Sequence, residues 1–110
     1  MNIEALRDHV LNYGDVEEGF PFGEDTLVFK VKNKIFLLVS LTAKPLQFNV
    51  KCDPGKAIEL REEYPEAVLP GYHMNKKHWN TIIVNGSLAN KLLVEMIKDS
   101  YELVKGKKKL

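Results

Sequence analysis

The side chains best suited to chemistry crowd into residues 70–81, where Tyr72, His73, Asn75, Lys76, Lys77, His78 and Trp79 follow one another within a short run. Lysine ammonium groups hold phosphate oxygens as point charges, and an aromatic ring beside them offers a base a stacking surface. On that account Lys76 and Lys77 contact phosphates while Tyr72, His78 or Trp79 receives a base. A structural account is open as well: Tyr72, Met74 and Trp79 anchor a long loop on the core and the lysines are solvated. The alternative function is a protein-binding or small-metabolite-binding site on residues 70–79, with Tyr72, His73, Asn75, His78 and Trp79 as its surface.

A second basic surface lies earlier in the chain, where Lys30, Lys32, Lys34, Asn49 and Lys51 fall on the polar side of alternating segments and at the turn between them. A β-ribbon carrying lysines can enter a DNA groove and contact its phosphates. Lysines also protect exposed sheet edges from pairing with other chains, which is their commoner role. The net charge of +1 hides an uneven distribution. Residues 1–25 sum to −6, 26–56 to +5, 57–70 to −3 and 71–110 to +5, so two basic blocks could converge in space. Adjacency is a matter for the tertiary structure.

No phosphate loop, dinucleotide fingerprint, paired-cysteine zinc site or two-histidine zinc helix is present. Cys52 could be paired with His73 or His78 as nucleophile and base, but alternation puts it on the same face as Phe48 and Val50. It reads as a buried core thiol. His9, His73 and His78 lack the clustering and the company of a metal site. His9 reads as a surface group on the first helix. The expectation is a protein without enzymatic activity, catalytic residue, metal or cofactor.

The elements that must position these residues follow from periodicity. Ile3, Leu6, Val10 and Tyr13 recur at helical spacing behind the N-cap Asn2, and Gly14 offers a stop. Residues 16–22, broken by Gly19 and Pro21, suit a short edge strand or irregular segment. Leu27, Phe29 and Val31 alternate with Val28, Lys30 and Lys32, Lys32-Asn33-Lys34 makes a tight turn, and residues 35–41 are apolar on both faces except for Ser40. A third strand carries Leu46, Phe48, Val50 and Cys52. Asp53-Pro54 opens a helix along Ala57, Leu60 and Tyr64. Residues 70–78 read as irregular and 79–84 as a strand. Ser87 is expected to cap a last helix, with Leu92, Leu93, Met96, Ile97, Ser100, Leu103 and Val104 on its apolar side.

This order predicts an α+β fold with a mainly antiparallel sheet and helices packed on one face. At 110 residues the chain has the length of one domain, placed at 1–106, with a basic tail at 107–110 drawn from the lysine-rich end. The lone cysteine and the acidic start suit a reducing cytoplasm, and the longest apolar run, residues 35–39, is too short to span a bilayer. No membrane partner is expected.

Four segments in order, Phe20-Pro21-Phe22-Gly23, Val28-Phe29-Lys30-Val31, Lys51-Cys52-Asp53-Pro54 and the run over residues 70–81, resemble the MmcQ/YjbR family over nearly the whole chain. The resemblance implies a fold akin to frataxin-like CyaY, also described as a double-wing DNA-binding architecture. It implies a DNA-binding protein whose characteristic surface is Tyr72, His73, Asn75, Lys76, His78 and Trp79, with Lys30 and Lys51 nearby. The small net charge makes the expected DNA affinity weak and salt-sensitive. Frataxin-like folds also suggest iron on an acidic first helix, but Glu4 and Asp8 alone are a thin ligand set.

Overall fold

The computed structural model describes residues 1–71 and 74–106. The order is α1 (Ile3–Leu11), β1 (Val16–Gly19), β2 (Thr26–Val31), β3 (Lys34–Ser40), β4 (Gln47–Lys51), α2 (Pro54–Glu63), β5 (Val68–Pro70), β6 (Trp79–Ile83) and α3 (Asn90–Lys105). The strands form one six-stranded sheet ordered β1-β2-β3-β4-β6-β5, every pairing antiparallel. This is the α+β architecture that the alternation and short turns predict.

Local chemistry sets most of the boundaries. The Asn2 side chain accepts from the Ala5 N–H at 2.8 Å and starts α1, and the Asp53 carboxylate accepts from Gly55 and Lys56 to start α2 behind Pro54. Lys32 and Asn33, at φ 52° and 65°, make the two-residue turn whose twist matches a hairpin. Leu27, Phe29 and Val31 of β2, Phe48 and Val50 of β4 and Ile82 of β6 point to one side, into a core closed by Leu6, Val10, Ala57, Leu60, Leu93, Met96, Ile97 and Tyr101. The Cys52 thiol belongs to that core, and burial pushes its pKa up against the smaller opposing pull of Lys56.

The β2–β3 register slips once. Phe29 faces Leu37 and Lys30 faces Ile35, which leaves Phe36 as the extra residue of a bulge, and Phe36 and Leu37 both enter the core. The β3–β4 ladder stops at Leu37 and Val50. Beyond it the Ser100 hydroxyl of α3 takes over: the Lys51 N–H donates to Ser100 Oγ at 2.8 Å, and Ser100 Oγ donates to the Phe36 carbonyl at 2.6 Å. A helix side chain thus satisfies the two backbone groups that the bulge separates.

Several expectations need correction. Ser87 does not cap α3, because its N–H and hydroxyl both donate to Asn85 Oδ1 in a turn, and the helix begins at Asn90 behind Ala89. Leu103 is 48% exposed, and Tyr101 takes the buried place instead. Residues 68–70 form the edge strand β5 against β6. The last helix includes Lys105 and closes on Gly106 at φ 85°, and the tail at 107–110 lies outside the described residues.

His9 is also no surface group. It is half-buried, its ring meets Tyr13 edge-on at 5.1 Å, and neither its Nε2 nor the Tyr13 hydroxyl has a hydrogen-bond partner among the described residues. Burial, helped by Glu102 and Tyr101, pushes the Tyr13 pKa up to about 12. The neutral phenol therefore favours the folded state below pH 10, its ordinary value, and that advantage is lost as pH rises through about 12. Tyr13→Phe is expected to keep or raise stability, by up to about 1 kcal/mol, because it removes an unpaired buried hydroxyl. Ultraviolet titration should lose the late-ionising phenol. A stability loss above about 1 kcal/mol in urea melts would mean that the hydroxyl is bonded after all.

Candidate nucleic-acid interface

The helices cover one face of the sheet. On the other, Gly19, Val28, Leu38, Asn49, Thr81 and Leu69 form a row across all six strands, and Thr26, Ser40, Gln47 and Ile83 form a second. Val28 and Leu38 give this side an apolar floor. Thr81 Oγ1 donates to Asn49 Oδ1 at 2.5 Å, so the Asn49 carbonyl oxygen is engaged across the strands.

At the end of the sheet where the β3–β4 ladder stops, a groove of about 510 Å³ opens. Lys30, Asn33, Lys34, Lys51 and Trp79 line it, with Ile35, Leu103 and Val104 supplying apolar surface. Lys51 and Trp79 are cross-strand partners, and Trp79 is half-buried. The exposure of Leu103 follows from its place in this lining. Three ammonium groups around an indole can hold an anion and a flat ring together.

A second groove, about 520 Å³, lies on the side away from the helices and is lined by Gln47, Leu69, Pro70, Lys76, Thr81 and Ile83. The structure therefore divides the predicted residues. Lys30, Lys34 and Lys51 gather with Trp79, Lys76 joins the second groove, and Asn49 sits in the row between β3 and β6. Lys32 and Lys77 are exposed on turns and line neither groove. Tyr72 and His73 lie outside the described residues.

Asn75 and His78 shape the loop. Asn75 Oδ1 accepts from the Lys77 N–H, and its carbonyl accepts from the His78 and Trp79 N–H groups. The His78 carbonyl accepts from the Cys52 N–H at 2.7 Å, joining the turn to the end of β4. Gly71 packs so close to β6 that an added Cβ would stand 2.7 Å from Trp79 Cβ and 2.8 Å from its carbonyl oxygen. Only glycine permits that approach.

Sequence reasoning missed Arg61, the side chain that holds this loop. From α2 it donates to Asn80 Oδ1 at 2.7 Å, to the Lys76 carbonyl, and to the Trp79 carbonyl at 3.3 Å. Asn80 is buried beneath it and reaches the Ala57 carbonyl. One signal was available. Fourteen of the sixteen basic residues are lysines, and the two arginines, Arg7 and Arg61, are both bridges; Arg7 grips the Glu18 carboxylate with two nitrogens and lowers its pKa.

Among the described residues, no three His, Cys, Asp or Glu side chains gather closely enough to hold a metal ion. No helix among them is long and apolar enough to cross a membrane.

Helices on one side of an antiparallel sheet, with a groove at the sheet end lined by lysines around a tryptophan, define an α+β protein with a basic groove beside its sheet. The YjbR family model matches residues 11–103, and the chain belongs to that family. It is 42% identical to YbdF of Escherichia coli over 92% of this chain and 82% of that protein, and 30% identical to YjbR of Escherichia coli over 93% and 86%. The crystal structure of Deinococcus radiodurans DR2400, described by the domain name DUF419, is similar with a TM-score of 0.92 at 39% identity, covering 96% of this chain and 80% of that one. A crystal structure from Pseudomonas syringae is similar with a TM-score of 0.76 at 26% identity, covering 94% and 99%.

Proposed function

We propose that this protein is a nucleic-acid-binding module without enzymatic activity, holding phosphates with Lys30, Lys34 and Lys51 at the end of the open sheet face. The supporting observation is their convergence on one groove with Trp79, from residues far apart in the chain. The contacts are mainly to the backbone. Three lysines, of which Lys34 is exposed and Lys30 and Lys51 are half-buried, and a net charge of +1 make the affinity modest and strongly dependent on salt.

Fluorescence anisotropy against labelled DNA, at about 50 and about 200 mM salt, tests the reading. Three phosphate contacts give a slope of log affinity against log salt of about −2 to −3, and Lys51→Ala should flatten it by about 1. An absence of binding at the lower salt would sink the proposal.

The second reading, a small-metabolite or protein partner bound through the 70–79 loop, draws on the groove lined by Gln47, Leu69, Pro70, Lys76, Thr81 and Ile83. Its volume falls in the range of ligand pockets. Salt-insensitive binding abolished by a change at Leu69 would favour it over the first.

A further inference from the structure

We propose that the nucleic acid is single-stranded and runs past the lysines at the sheet end from Trp79 to Phe20, with a base stacked on each ring. This rests on the reading above and adds the class of strand and its path. Beyond Lys30 lies another groove, of about 320 Å³, whose lining includes Glu17, Glu18, Phe20, Val28, Lys30 and Asn33. Lys30 and Asn33 line both grooves, so the two adjoin.

Phe20 stands 52% exposed beside this track. Phe20 lies in its wall, so the track has an aromatic ring at each end and lysines between them. The sheet from β6 to β1 spans four strand spacings, about 19 Å. That length suits a few nucleotides, near the lower end of single-strand site sizes.

The charges set which part of a nucleotide lies where. Glu17 is the cross-strand partner of Lys30 at the Phe20 end, and Glu18 is held by Arg7. Carboxylates there repel a phosphate and accept hydrogen bonds from an exocyclic base amine, so the base end faces Phe20 and the phosphates stay over Lys30, Lys34 and Lys51. Trp79 is half-buried in the surface rather than projecting from it. A duplex keeps its base faces stacked inside and cannot offer them to such a ring, whereas an unpaired strand can.

The test titrates the full chain with a labelled single strand of about twelve nucleotides and with the duplex of the same sequence, for wild type and Phe20→Ala. Phe20 is exposed, so the variant should fold. Trp79 is the one tryptophan, so quenching of intrinsic fluorescence reports stacking on it directly. Expected are single-strand binding at least about tenfold tighter than duplex binding, quenching by the single strand alone, and about tenfold loss for that strand in Phe20→Ala. Equal or tighter duplex binding without quenching, or single-strand binding indifferent to Phe20, overturns this inference and leaves the lysine groove standing. Binding of neither nucleic acid at low salt overturns both.

Discussion

Ser100→Ala is expected to lower the unfolding free energy by about 2–4 kcal/mol, as a fall in the urea midpoint and a melting temperature lower by roughly 10 °C or more. The hydroxyl has no solvent exposure and makes two hydrogen bonds, accepting from the Lys51 N–H and donating to the Phe36 carbonyl. Alanine leaves both backbone groups without that partner at the point where β3 and β4 no longer pair. An unsatisfied buried group costs about 1–3 kcal/mol. The same change should loosen Lys51 and so reduce affinity at the groove. Ser87→Ala is the control: that serine is exposed and bonded only within its own turn, so the change should stay within about 0.5 kcal/mol. A loss below about 1 kcal/mol in Ser100→Ala would show that water replaces the hydroxyl and that the bulge needs no such support.

Arg61→Met is expected to cost about 2–3 kcal/mol and to weaken nucleic-acid binding beyond what the lost charge explains. Methionine keeps much of the aliphatic volume but removes the donors to Asn80 Oδ1 and to the Lys76 and Trp79 carbonyls. Asn80, 1% exposed, is left with an unpaired oxygen, and hydrogen bonds to charged donors are worth about 1.5–3 kcal/mol. Arg61 lines neither groove, so its effect on binding acts through the position of Trp79 and Lys76. Arg61→Lys separates charge from geometry. A single ammonium cannot fork to several acceptors, so the lysine variant should resemble methionine in stability while keeping the salt slope of wild type. Full stability in Arg61→Lys would mean that the fork is dispensable.

Both residues show how much of the site was legible beforehand. Alternation in residues 27–31 and 46–52 placed the core face and put Cys52 inside, because a side chain's side of a strand is a local property of period two. Lys32-Asn33 announced its turn, and Asn2 and Asp53 announced their helix starts, since each bonds within a few residues of itself. Ser87 misled for the same reason: a side chain good at capping is equally good at bonding inside a turn, and Asn85 was nearer. Three residues of β5 are too few for a period to register.

Sequence by itself determined the α+β class, the inward face of the central strands and the family, because these rest on short-range patterns and on motifs that stand in order along the chain. Only the tertiary structure decided which basic residues meet. Strand β6 inserts between β4 and β5, bringing Trp79 opposite Lys51, and the bulge at Phe36 ends the β3–β4 ladder where the groove opens. Those outcomes depend on strand order and on a hydroxyl 64 residues from the carbonyl it bonds, and neither leaves a periodic trace in the sequence.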